Sequence, residues 1–158
     1  MNEMKKTLFA ALMLLAPAGA HAETPEEYVN SYFEKYPTAS CTVLGSTVDV
    51  IFSNRHSFVV GADVTMDPLG AYAQLVQRSH KTLADLKAVD HPNLNAILPQ
   101  LEAEARFLTD EVYEELVRRI YEPTKADFVP TSREDPRYAA FKAKVVEECM
   151  TWDWPRVE

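Results

Sequence analysis

The chain has few of the residues that mark flexible, nucleotide-binding or metal-binding proteins. It contains only four glycines in 158 residues and no low-complexity run, which argues against flexible linkers and a glycine-rich phosphate loop. No H-E-x-x-H, H-x-x-E-H or G-x-S-x-G motif occurs, so zinc peptidases and α/β-hydrolases have no sequence support. We therefore predict no catalytic residue, no metal site and no cofactor.

Basic residues are also scarce. The chain has 24 acidic against 16 basic residues, a formal net charge of −8 at pH 7. Because nucleic acids and anionic lipids bind basic surfaces, we expect no nucleic-acid partner and no membrane insertion. The acidic balance permits a basic protein partner, although it also serves solubility alone.

The N-terminus has the three parts of a secretory signal peptide. Lys5 and Lys6 precede an apolar run over residues 8–15, and a small-x-small site ends at Ala22. The run is too short for a transmembrane helix, which needs about 20 apolar residues. We predict cleavage after Ala22 and delivery to the periplasm or the medium.

The predicted mature chain, residues 23–158, has the length of one soluble domain. Cleavage removes Glu3, Lys5 and Lys6, so the mature net charge changes from −8 to −9. The residue directly after the predicted cleavage site is Glu23 and not a cysteine, and we therefore expect no lipid anchor.

Cys41 and Cys149 are the only cysteines, and both belong to the mature chain. Two cysteines in an oxidising compartment are most simply one disulfide. They have no C-x-x-C spacing, which disfavours a redox-active pair, and no neighbouring ligand at metal spacing. We predict a disulfide between Cys41 and Cys149.

Several helix starts can be recognised. Residues 24–27, Thr-Pro-Glu-Glu, form a capping box with proline at the first helical position. Asp67 and Asp135 each precede a proline and are predicted N-caps. Pro99 is predicted to break a short helix over residues 92–98, and an amphipathic helix is predicted over residues 101–121. Thr109 is a candidate second N-cap within it.

Residues 40–66 can be interpreted in two ways. Cys41, Leu44, Val48 and Ile51 recur at helical spacing, which favours a helix over residues 40–54. The β-branched residues around Val48 instead permit a hairpin around residues 47–60. The predicted fold is an all-α compact bundle of four to five helices with one long-range disulfide, and the alternative is an α+β fold containing that hairpin.

These features favour an exported, non-catalytic protein that binds another protein as an inhibitor, an immunity-like protein or an adaptor. A polar loop between apolar segments supplies Arg55, His56 and Phe58 as candidate contacts, and the C-terminal tail supplies Trp154. The alternatives are a small cell-wall hydrolase and a periplasmic stress or chaperone factor. The oligomeric state stays open.

Overall fold

The computed structural model describes residues 22–56, 66–122 and 134–158. Within those ranges the chain forms helices and no strands, and the predicted all-α bundle is confirmed. A π-helical turn, Leu108–Val112, joins the fourth and fifth helices without interruption. The α-helices in the described ranges are α1 (Pro25–Lys35), α2 (Thr38–His56), α3 (Pro68–Lys87), α4 (Pro92–Phe107), α5 (Tyr113–Tyr121) and α6 (Pro136–Cys149).

The predicted caps begin three of these helices. The Thr24 backbone N–H donates to Glu27 Oε2 over 2.8 Å, and the Glu27 N–H donates to Thr24 Oγ1 over 3.3 Å. This reciprocal pair is the capping box, and it satisfies donors that the first turn leaves without a partner. Asp67 and Asp135 likewise accept a hydrogen bond from a backbone N–H in the first turn of α3 and α6.

Helix α2 is the centre of the bundle. It packs against α3, α5 and α6, while α1 packs against α4, and α3 packs against both α4 and α5. Gly45 permits close approach of α6, because a Cβ there would lie only 3.1 Å from Val146 Cγ2. The largest fully buried side chains are Cys41, Leu44, Val48, Ile51, Phe52, Ile97, Ile120, Val145 and Cys149.

The disulfide prediction is confirmed. Cys41 of α2 and Cys149 of α6 are bonded, with Cα atoms 5.7 Å apart and no exposed surface on either residue. The bond joins residues separated by 108 positions and ties the central helix to the last one.

The hairpin alternative is wrong for residues 47–56, which are helical. Val48, Ile51 and Phe52 are fully buried, so the β-branched residues serve the helix core and local strand propensity is overridden. The proposed second strand, residues 57–60, lies outside the described residues.

The predicted break at Pro99 is also wrong, because α4 continues through it to Phe107. Proline lacks the N–H that would reach the carbonyl of Asn95. Both Asn95 and Pro99 are exposed, so water can hydrate that carbonyl and the interruption is tolerated.

Thr109 does not start a new helix but lies in the π-helical turn. Its carbonyl oxygen accepts a 3.1 Å hydrogen bond from the Tyr72 hydroxyl of α3, and its own hydroxyl donates to the Arg106 carbonyl over 3.1 Å. The hydrogen bond from Tyr72 of α3 therefore stabilises the π-helical turn.

Residues 1–21 of the predicted signal peptide lie outside the described residues. Among the helices that are described, none is long and apolar enough to cross a bilayer.

Candidate functional site

A cleft of about 810 Å³ separates the π-helical turn from the C-terminal end of α6. One wall comes from the end of α4, the π-helical turn and α5. The other comes from α6 and from residues 152–155, and we call residues 152–155 the tail wall. π-helical turns are rare and are frequently found at functional sites. The lining residues are Ala103, Arg106, Phe107, Asp110, Glu111, Val112, Glu115, Leu116, Arg119, Lys144, Glu148, Trp152, Asp153 and Pro155.

The floor of the cleft is apolar and aromatic. Phe107 and Trp152 meet edge to face with ring centroids 6.4 Å apart, and the buried Val112 and Leu116 also line the cleft. Trp152 is half-buried, so part of its indole faces the cleft. Such a surface offers dispersion and hydrophobic contact to an incoming side chain.

Acidic side chains stand on the rim. Asp110, Glu111 and Asp153 are all exposed and line the cleft. Asp110 Oδ1 lies 3.2 Å from the Thr109 hydroxyl oxygen. Glu111 and Asp153 form no ion pair with another residue in the described part of the chain.

Two of the three basic lining residues are compensated by an acid. Arg119 Nη1 lies 2.8 Å from Glu148 Oε2, and Lys144 Nζ lies 3.7 Å from Glu148 Oε1. Arg106 is exposed at the rim. With five acidic and three basic residues, the lining has a net charge of −2.

Hydrogen bonds from the interior hold the tail wall. The carbonyl oxygen of Pro155 accepts from Gln100 Nε2 over 2.7 Å and from the Tyr36 hydroxyl over 2.8 Å. The Val157 N–H donates to Gln100 Oε1 over 2.9 Å. The Trp154 indole N–H donates to the Cys149 carbonyl over 2.8 Å.

Behind the tail wall lies a buried carboxyl, Glu104, which is 7% exposed. It accepts hydrogen bonds from the hydroxyls of Tyr32 and Ser40 and from the side-chain amide of Gln100. Burial raises the pKa of Glu104, and the three hydrogen bonds oppose that rise. Burial, followed by the charge of Glu104, raises the pKa of the Tyr32 hydroxyl. This carboxyl does not line the cleft.

Two of the four residues expected from the sequence to bind a partner, Arg55 and Trp154, are described, and both make internal contacts. Trp154 is buried and packs against Tyr36 and Phe107, at centroid distances of 5.8 and 5.1 Å. Arg55 is half-buried and donates a hydrogen bond to the carbonyl at Ile120, near the end of α5.

The other two expected contacts lie outside the description. The backbone of His56 ends α2, but its side chain is not among the described parts, and Phe58 falls in the range 57–65. The structure thus places Arg55 and Trp154 in internal contacts and leaves the two loop residues untested.

The cleft residues Trp152, Glu111 and Asp153 were not expected from the sequence. Two tryptophans separated by one residue are equally able to enter the core, and the choice depends on the polar partners of the tail.

A second, shallower depression of about 470 Å³ lies on α3. It is formed by Leu69, Tyr72, Ala73, Val76, Gln77 and His80, and Leu69 is 75% exposed. It lacks the charged rim of the cleft.

In the ranges 22–56, 66–122 and 134–158, no group of three or more His, Cys, Asp or Glu residues is arranged to hold a metal ion. Comparison with models of protein families, with curated proteins and with solved structures finds no match to this chain.

Proposed function

We propose that this chain is an exported protein that binds another protein, as an inhibitor, an immunity-like protein or an adaptor. The cleft between the π-helical turn and α6 is the proposed binding site. The single observation that carries the proposal is its composition, an aromatic floor around Trp152 surrounded by exposed charged side chains.

The chemistry of the cleft supports binding. Interface residues that dominate affinity are enriched in tryptophan, tyrosine and arginine and lie in pockets from which surrounding contacts exclude water. Trp152 and Arg119 are of these residue types and line the cleft, and Phe107 meets Trp152 edge to face.

Export is supported by two independent features. Residues 1–22 have the basic, apolar and small-residue parts of a signal peptide. The bond between Cys41 and Cys149 is of the kind that persists in oxidising compartments such as the periplasm.

A cell-wall hydrolase is the second candidate, because five carboxylates line the same cleft. General acid catalysis of glycoside hydrolysis uses a carboxyl whose pKa is raised at the reacting bond. In this chain, burial raises the pKa of Glu104, which is enclosed by Tyr32, Ser40 and Gln100 and does not line the cleft. The arrangement therefore favours binding over acid catalysis.

The test is affinity capture with a variant that fills the cleft. Ala103→Trp places a large side chain at the cleft lining, whereas Ala96→Trp places the same side chain on the exposed surface of the same helix, outside it. The mature wild type and both variants are immobilised and exposed to periplasmic and culture fractions.

A protein captured by wild type and by Ala96→Trp but lost with Ala103→Trp supports the proposal. Equal capture by all three proteins, or no capture above background, contradicts it. Release of soluble fragments from purified peptidoglycan by the wild type, abolished in Ala103→Trp, decides for the hydrolase.

A further inference from the structure

We propose that the occupant of the cleft is a basic segment of the partner protein, with lysine or arginine side chains facing Glu111 and Asp153 and an apolar or guanidinium group on Trp152. This inference rests on the proposed function and adds the chemical class of the partner.

The local charge of the cleft favours a basic occupant. Glu111 on the π-helical turn and Asp153 on the tail wall approach the cleft from its two walls, and neither forms an ion pair with another described residue. Glu148, by contrast, is already bonded to Arg119. A basic segment would neutralise the two acids without breaking an existing pair, whereas an acidic segment would meet repulsion.

The aromatic floor also favours a basic occupant. A guanidinium or ammonium group within about 6 Å of an indole centroid is attracted by the ring. The protein already uses this contact internally, since the Arg156 guanidinium lies 5.6 Å from the Phe33 centroid and that of Arg119 lies 5.6 Å from the Phe141 centroid. Trp152 offers an equivalent, half-exposed ring.

The electrostatic field of the whole molecule favours the same kind of occupant. A net charge of −8 for the full chain, or −9 after removal of residues 1–22, attracts a basic partner from a distance. The same charge repels acidic segments, so the long-range and local terms favour the same occupant. Both are weakened by salt.

The experiment titrates the mature protein with two synthetic peptides and follows tryptophan fluorescence and calorimetric heat. One ten-residue peptide alternates arginine and leucine, and the other replaces every arginine with glutamate. The test variant is Glu111→Lys/Asp153→Lys. The matched control is Glu114→Lys/Glu147→Lys, which makes the same charge change at exposed positions of α5 and α6 outside the cleft lining.

We expect the basic peptide to bind the wild type saturably and the acidic peptide not to bind. Charge reversal at Glu111 and Asp153 should lower the affinity for the basic peptide by about tenfold or more. Charge reversal at the control positions should lower it by about threefold at most. Added salt should weaken the wild-type complex.

Absence of saturable binding by the basic peptide, equal binding of the acidic peptide, or equal weakening by both charge reversals would overturn the inference. Capture of the protein partner by the cleft variants distinguishes a failure of this inference from a failure of the proposed function. If Ala103→Trp abolishes capture and Glu111→Lys/Asp153→Lys leaves it intact, the cleft binds a partner that is not basic.

Discussion

The side-chain amide of Gln100 donates a 2.7 Å hydrogen bond to the backbone carbonyl of Pro155. Gln100 is 3% exposed, and its amide also donates to Glu104 and accepts from the Val157 N–H. A single buried side chain of α4 therefore connects the interior carboxyl to the tail wall of the cleft.

Replacing Gln100 with leucine should destabilise the protein. The buried Glu104 loses a donor, and a buried polar group left without a partner costs about 1–3 kcal/mol. The Val157 N–H also loses its acceptor, but Val157 is exposed, so this second loss is smaller. We expect the free energy of unfolding in urea to fall by about 2 kcal/mol. Gln77→Leu on the exposed side of α3 is the matched control, and an equal loss in both variants would refute the role of Gln100.

Glu104 should make stability depend on pH in an unusual direction. Burial raises the pKa of this carboxyl above its ordinary value of 4.5 in the folded protein, so the folded state holds the proton more tightly than the unfolded state. The free energy of unfolding of wild type relative to Glu104→Gln should therefore fall as pH rises from 4.5 through the raised pKa, and be constant above it.

Urea unfolding of both proteins over a pH series measures this difference, and acids common to both, such as Asp135, cancel. A difference that rises with pH would show that the three hydrogen bonds to Glu104 outweigh its burial.

The Cys41–Cys149 bond should be a major source of stability. Closing a loop of more than 100 residues in the unfolded chain contributes roughly 4–5 kcal/mol in the loop-entropy treatment. The free energy of unfolding should fall by similar amounts in Cys41→Ala, Cys149→Ala and the double variant, because each change removes the same bond. Reductant should lower the urea midpoint of the wild type and leave the double variant unchanged; an unchanged wild type would contradict this.

The exported protein should begin at Glu23. Intact mass measurement of the protein from a periplasmic fraction, under non-reducing conditions, should give the mass of residues 23–158 less two hydrogens for the disulfide. A species that retains residues 1–22 would remove the export proposal.

Local signals in the sequence predicted much of the fold. Capping residues such as Thr24, Asp67 and Asp135 determine helix starts through contacts within one turn, and these starts were predicted correctly. The continuation of α4 through Pro99 and the π-helical turn at Thr109 depend on solvent exposure and on the Tyr72 hydroxyl from another helix. Neither can be recognised in a single segment.

The candidate site was less accessible to prediction for the same reason. Its walls come from segments about 40 residues apart, and the tail wall is placed by Gln100 and Tyr36. Which of Trp152 and Trp154 enters the core depends on those distant partners. The sequence therefore pointed to the C-terminal tail and selected Trp154, the tryptophan that the structure buries.

The most direct test of the account is hydrogen–deuterium exchange of the mature protein with and without the captured partner. The account predicts slower exchange in residues 103–116 and 144–155, which form the two walls of the cleft, with no change over Pro68–Lys87 of α3. Protection confined to α3, or exchange at the cleft that the partner leaves unchanged, would contradict it.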